Sequence, residues 1–529
     1  MEMTDTTIPS EAVASAAFAT LKSPVAPAFA HIQWDSLGTL QLTAQETALL
    51  RMAETNPMDY TLSDSRDASM YARVLLKLVA ESSAAGAGMG EVSKLSPAGV
   101  TEQEALETLA VDPLGVVCHY ALTKLLDILQ TLKVGVKGVS IATVFYVGKD
   151  GILVEQWKAL LRILDKPGKG DAFAQKVAAL CLAQMLVTAC PSQRHRSVDG
   201  KARPIQYASA VEPLEAITAW VISQLKNATG PLVGSCSPAL KVLVDAHETR
   251  VLFCKSGGIK YMARQLRIGN KSPLDKKKMA SVQQLYEIAF CMWILTYELN
   301  HSSAIRHDFA KDSLAVSALV DLIAVAPREK VVRVALASLR NLALCTVDEN
   351  EPAPANGAPK MDGKFFLSEM IACGLIKAVD HLRDRQFTDP DLAEDIQLLH
   401  KLLHENYKEM SRWEVYKNEV ESGHLQWGSC HTEAFFKENA RMMEGSDGDF
   451  RLLKVLIALL SNRDEEVAAI ACFDIGEFVR HYPNGRAIVK RLGAKDLVMT
   501  LIEHENAELQ RHALQCVSKI MVNNWEYVK

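Results

Sequence analysis

Residues 455–478 read VLIALLSNRDEEVAAIACFDIGEF, and residues 497–520 read LVMTLIEHENAELQRHALQCVSKI. Laid side by side, Val455, Leu459, Leu460, Val467, Ala471, Ile475 and Phe478 align with Leu497, Leu501, Ile502, Leu509, Ala513, Val517 and Ile520, each pair 42 residues apart. The apolar residues recur at helical spacing within each copy. Between the copies, Asn484-Gly-Arg-Ala-Ile488-Val489-Lys-Arg-Leu492-Gly493-Ala494 reads as a short helix, a glycine break and the start of the next helix. A helical unit repeated at a fixed period has a face that only its neighbours can bury, so such units stack and share one continuous core.

The same grammar recurs upstream. Gly257-Gly258-Ile259 and Gly374-Leu375-Ile376 each lead into a helix, and Val331–Leu342 carries apolar residues at the i, i+3, i+4, i+7 and i+8 positions of a long inner helix. The three-helix unit resembles an armadillo repeat, and the predicted fold is an all-α solenoid of armadillo/HEAT-like repeats. Residues 1–30, rich in Ala, Ser, Thr and Pro, read as a flexible N-terminal tail, followed by a first helical unit around Trp34–Glu54. Two breaks interrupt the helices. Ser82–Gly90 is a run of small residues, and Asp348–Gly363 holds three prolines and two glycines.

Composition agrees with this reading. Of 529 residues, 49% are hydrophobic and 23% charged, which excludes wholesale disorder. Gly and Pro, 28 and 19 residues, fall below the usual share, as expected of a helical chain. A net charge of −5 supplies no global field for nucleic acid. The eleven cysteines stand singly, with no Cys-x-x-Cys pair, and read as small buried hydrophobes in a reducing compartment. The N-terminus has no basic stretch ahead of an apolar core, so no secretory signal is expected. The most apolar stretches, Val177–Cys190 and Ile288–Thr296, fall short of the roughly 20 residues that span a bilayer.

Catalytic constellations are missing. The Gly-Lys pairs are followed by Asp150, Gly170, Ala202 and Phe365, so no phosphate-cradling Gly-Lys-Ser/Thr loop exists. His247-Glu248, His404-Glu405 and His504-Glu505 begin like zinc-protease helices, but Val251, Lys408 and Glu508 stand where the second histidine belongs. The expectation is therefore a non-enzyme with no catalytic, cofactor-binding or metal-ligating residues. The basic cluster Lys271 with Lys276–Lys278 reads as a solvated loop, and Asp464-Glu465-Glu466 complements a helix N-terminus. The irregular segment Gly423–Glu433 is the more informative one. It places Trp427, Cys430 and His431 in a non-helical loop, either as a contact site or with Trp427 as a plug between parts of the solenoid.

Four strings near the C-terminus carry a resemblance: Ser422-Gly-His-Leu425-Gln-Trp427, Phe435-Phe436-Lys-Glu438-Asn439, Val479-Arg480-His481-Tyr482-Pro483 and Asn524-Trp525-Glu526-Tyr527. In order and spacing they resemble the regulatory H subunit of the vacuolar-type proton ATPase (V-ATPase). Upstream, Ile32-Gln-Trp34-Asp35, Gln284-Leu-Tyr286 with Trp293-Ile-Leu295, and Glu329-Lys330-Val331 with Arg340-Asn341 stay in register with it. The chain departs from the family where Gly428 and Ser429 replace a usual proline after Trp427, and where Phe436 replaces a frequent tryptophan.

The resemblance implies two solenoid parts joined by a short connection: residues 31–384, with loop insertions near 82–100 and 348–363, and a smaller C-terminal helical-repeat domain over 385–529. It implies a non-catalytic regulatory protein of the pump, needed for coupled ATP hydrolysis and proton transport in the assembled pump and inhibiting hydrolysis in the detached catalytic sector. Implied partners are the E and G subunits of the peripheral stalk, the A and B subunits of the catalytic-sector head, the central rotor and the membrane-bound a subunit. No nucleic acid is among them. The implied location is cytoplasmic, peripheral on the cytosolic face of vacuolar and other endomembranes, with no direct membrane span. By the same resemblance the loop Trp427, Gly428, Ser429, Cys430, His431 and Thr432 is the candidate inhibitory contact. The alternative is an importin-like armadillo adaptor. Its groove needs Trp with Asn four residues on, and none of the seven tryptophans meets that.

Overall fold

In the structure, a computed structural model, residues 22–55, 65–84, 91–95, 100–134, 141–147, 152–153, 157–165, 171–196, 207–227, 233–270, 282–310, 314–326, 328–347, 360–385, 387, 389–409, 412–445 and 448–521 are described. The chain divides into two compact units, Met1–Asp308 and Phe309–Lys529.

The first unit runs through α1 (Ala44–Thr55), α2 (Ser65–Ala84), α3 (Glu102–Val111), α4 (Pro113–Val134), α5 (Ile141–Phe145), α6 (Trp157–Leu164), α7 (Ala172–Val187), α8 (Ala208–Asn227), α9 (Val233–Leu243), α10 (His247–Lys255), α11 (Gly258–Asn270), α12 (Val282–Thr296) and α13 (Ser303–Ala310). Its centre is α7, where every residue from Val177 to Val187 is buried. Helices α4, α6 and α9 cover it on several sides. That burial explains why the sequence there shows an apolar run rather than a single stripe: a helix enclosed all round has no solvent face to keep polar. Asp171 caps the first turn, accepting from the amides of Phe173 and Ala174 at 2.9 and 3.1 Å. No single helix among the described residues is long and apolar enough to cross a membrane.

Three local features differ from the sequence reading. The expected tail 1–30 is packed in its described part: Val25 and Ala28 are fully buried, and a 3₁₀ turn spans Ala26–His31. Ser23 Oγ, 2.8 Å from His119 Nδ1, ties this segment to α4. Ser82 and Ser83 belong to the last turn of α2 and are buried, so the loop expected from residue 82 begins later. Residues 85–90, most of the break at 348–363 and the basic cluster 271–278 lie outside the described residues. Between α5 and α6 a two-residue antiparallel pair, Tyr146–Val147 with Ile152–Leu153, adds a small extended element to an otherwise helical fold. Four residues of strand are too few to leave an alternating pattern in the sequence.

The second unit continues with α14 (Leu314–Val325), α15 (Glu329–Ala343), α16 (Gly363–Ala372), α17 (Leu375–Arg383), α18 (Pro390–Glu409), α19 (Arg412–Ser422), α20 (Glu433–Asn439), α21 (Arg451–Leu459), α22 (Glu465–His481), α23 (Gly485–Arg491), α24 (Ala494–Thr500) and α25 (Ala507–Met521). The boundary expected after residue 384 falls in the turn between α17 and α18. The 42-residue register is visible in space. Helices α22 and α25 pack along their lengths, and Val467, Ala471 and Phe478 are buried like their counterparts Leu509, Ala513 and Ile520. Lys519 Nζ donates to Glu477, a pair that is itself 42 residues apart. The glycine breaks are left-handed: Gly257, Gly374 and Gly493 have φ of +71, +79 and +78°, a conformation that an L side chain resists. All eleven cysteines are free and buried.

Candidate functional site

The loop expected to carry contacts is built by what precedes and follows it. Helix α19 stops at Gly423, whose φ of +74° closes the helix in the left-handed region. His424 Nε2 then meets Ser317 Oγ on α14 at 2.6 Å, and Leu425 is buried. At the far end Thr432 Oγ1 accepts from Phe435 N at 3.2 Å and caps α20. Phe435 and Phe436 behind it are fully buried against Tyr416. In between, the chain turns tightly, with His431 N donating to Gly428 O at 3.3 Å.

The six candidate residues separate into an outward tip and an inward anchor. Gly428 and Ser429 are exposed. Trp427 is half-buried, its ring 4.9 Å from His512 and 5.5 Å from Phe473. It thus packs on α22 and α25 of its own unit. Cys430 is buried, and its Sγ lies 3.3 Å from Arg412 O, while Arg412 Nη2 donates to Ser429 O at 2.5 Å. His431 is the anchor. Its Nδ1 lies 2.9 Å from Asp474 Oδ2, its Nε2 lies 2.8 Å from Glu419 Oε2, and its side chain is wholly buried.

Both ring nitrogens face carboxylates, which only accept, so both donate and the ring is an imidazolium. Burial alone would pull its pKa down. The charge and hydrogen bond of Asp474, then those of Glu419, outweigh burial and raise it to about 10. Asp474 sits fully buried in the middle of α22, where the backbone amides are already bonded within the helix. A buried carboxylate of this kind is tolerable only while paired. The loop is therefore fastened to the repeat core by an ion pair, and its exposed tip is presented from a rigid base.

Sequence reading placed the loop but missed what holds it: Arg412, Glu419 and Asp474. One signal was present. The 42-residue register sets Asp474 opposite Cys516, a buried position, so an aspartate there demanded a buried partner. A second group was also overlooked. His404 has no histidine partner at Lys408, but a matching histidine lies four residues the other way, in His400-Lys-Leu-Leu-His404. Both belong to α18, and Asp380 of α17 stands beside them.

Comparison with known proteins matches two family models, both described as the H subunit of the V-ATPase, to residues 111–403 and 409–525. A probable V-type proton ATPase H subunit of Oryza sativa subsp. japonica is 32% identical over 361 residues, covering 67% of this chain and 73% of the relative. The V-type proton ATPase H subunit of Drosophila melanogaster is 31% identical over 307 residues, covering 58% of this chain and 60% of the relative. Among solved structures, an engineered protein aligns over 98% of this chain and 100% of its own, with a TM-score of 0.32 and 14% identity. A designed armadillo repeat protein in complex with peptide (KR)4 aligns over 57% of this chain and 98% of its own, with a TM-score of 0.23 and 16% identity.

Proposed function

This chain belongs to the V-ATPase H-subunit family, and from that premise we propose that it is a non-catalytic regulatory component of the pump's peripheral sector. In the assembled pump it supports coupled ATP hydrolysis and proton transport; on the detached catalytic sector it inhibits hydrolysis. The reading gives the part up to residue 384 to the E and G subunits of the peripheral stalk. It gives residues 385–529 to the A and B subunits of the head and to the membrane-bound a subunit in one state, and to the central rotor in the other. The chain then works on the cytosolic face of endomembranes without spanning them.

The observation that carries this reading to a site is the loop's division into tip and anchor. A brake must hold its shape under load, and a tip fastened by an imidazolium between two carboxylates does so. The contact then falls to Gly428, Ser429 and the open edge of Trp427. The test adds purified chain to membranes whose pump lacks this component and, separately, to the detached sector. Hydrolysis and proton uptake rise together in the first and hydrolysis falls in the second. Trp427→Ala combined with Ser429→Arg, which leaves the buried anchor intact, relieves inhibition of the detached sector. Full inhibition by that variant overturns the assignment of the loop, and no effect of the parent chain on either preparation overturns the function.

A further inference from the structure

We propose that Asp380, His400 and His404 form a binding site for a divalent transition ion of the zinc type, linking α17 to α18. The three ligand atoms lie within 4.8 Å of one another. Asp380 Oδ1 is 3.4 Å from His400 Nε2 and 3.8 Å from His404 Nε2. Donors in a tetrahedral zinc shell, with bonds of about 2.0–2.1 Å, stand about 3.3 Å apart. The two carboxylate–imidazole distances thus stand about 0.1 and 0.5 Å above that spacing, and the two imidazole nitrogens lie within the same 4.8 Å. The two imidazoles reach one point because residues four apart share a helix face; their ring centroids are 4.3 Å apart.

The ring orientation is right as well. Arg383 Nη1 lies 2.9 Å from His400 Nε2, and a guanidinium only donates, so that nitrogen presents its lone pair. The arginine is exposed, and an ion displaces it by a turn of a long side chain into water. Two imidazoles and one carboxylate select zinc-type ions over magnesium or calcium, which take oxygen ligands. The partial exposure of all three residues leaves the remaining coordination positions to water. Since α17 and α18 pack on one another, the ion acts as a clamp across their turn.

The test uses the untagged full chain with zinc, and cobalt(II) as its visible probe. The expected result is one saturable ion per chain, cobalt bands in the visible without an intense near-ultraviolet thiolate band, and a higher melting temperature in zinc. Asp380→Asn and His404→Gln each weaken binding by on the order of tenfold to a hundredfold and abolish the zinc-induced rise in melting temperature, with the circular dichroism unchanged. Absence of saturable binding by the parent chain overturns the site. So does binding that survives both substitutions, or a thiolate band assigning the ion to cysteine.

Discussion

His119 lies between Ser23 and Asp171, while His431 lies between Asp474 and Glu419. Each is a buried histidine that fastens an irregular segment to helices, the first holding residues 22–31 and the second the loop 427–432. The wiring differs. Asp171 is a helix cap: one oxygen takes two amides at the start of α7, and the other meets His119 Nε2. Asp474 sits mid-helix, where the amides are already bonded, and has His431 as its charge partner, with Tyr416 beside it. The same pair of residue types therefore makes a shared junction in one place and an obligatory ion pair in the other.

The largest expected effect breaks this contrast directly. His431→Ala strands the buried carboxylate of Asp474 and costs about 3–5 kcal/mol, whereas His119→Ala leaves Asp171 its amide bonds and costs about 2 kcal/mol. Urea unfolding of the two variants measures the difference. Equal losses remove the distinction. A smaller effect sharpens it. Because the folded pKa of His431 is raised to about 10, its stabilisation is complete below the unfolded value of about 6.5 and is lost as pH climbs through 10. The melting-temperature gap between wild type and His431→Gln narrows across that window. A gap independent of pH means the ring carries no charge. The smallest effect lies at the other pair. Ser23→Ala removes one hydrogen bond to His119 and costs about 1 kcal/mol, seen as faster proteolysis ahead of α1. An unchanged cleavage rate dissociates Ser23 from the ordering of that segment.

What could be read in advance divides along a physical line. The repeat was legible because stacking imposes one register on many residues, so Val467, Ala471 and Phe478 predict Leu509, Ala513 and Ile520. The position of the irregular loop was legible from the loss of helical spacing after Ser422. Its polarity was not. Whether His431 or Ser429 faces water depends on Glu419 and Asp474, which lie 12 and 43 residues from the histidine and converge only when α19 and α22 pack. The packing of Ser23 and Val25 was hidden for the same reason, since His119 is 96 residues away from Ser23. The terminal repeat shows the limit of the register itself. Cys472 is fully buried, but its counterpart Leu514 is 46% exposed, because α25 is the last described helix of the stack.

The cysteines give the molecule a built-in set of reporters. Burial pushes the thiols of Cys118, Cys190, Cys236, Cys291 and Cys472 up to about 12, and that of Cys430 to about 11. None is a thiolate at neutral pH, so reagents meet them only when the surrounding layer opens. Their spacing along the chain samples successive layers of both units and the loop 427–432. The order in which they become alkylated is therefore a calendar of which layer breathes first.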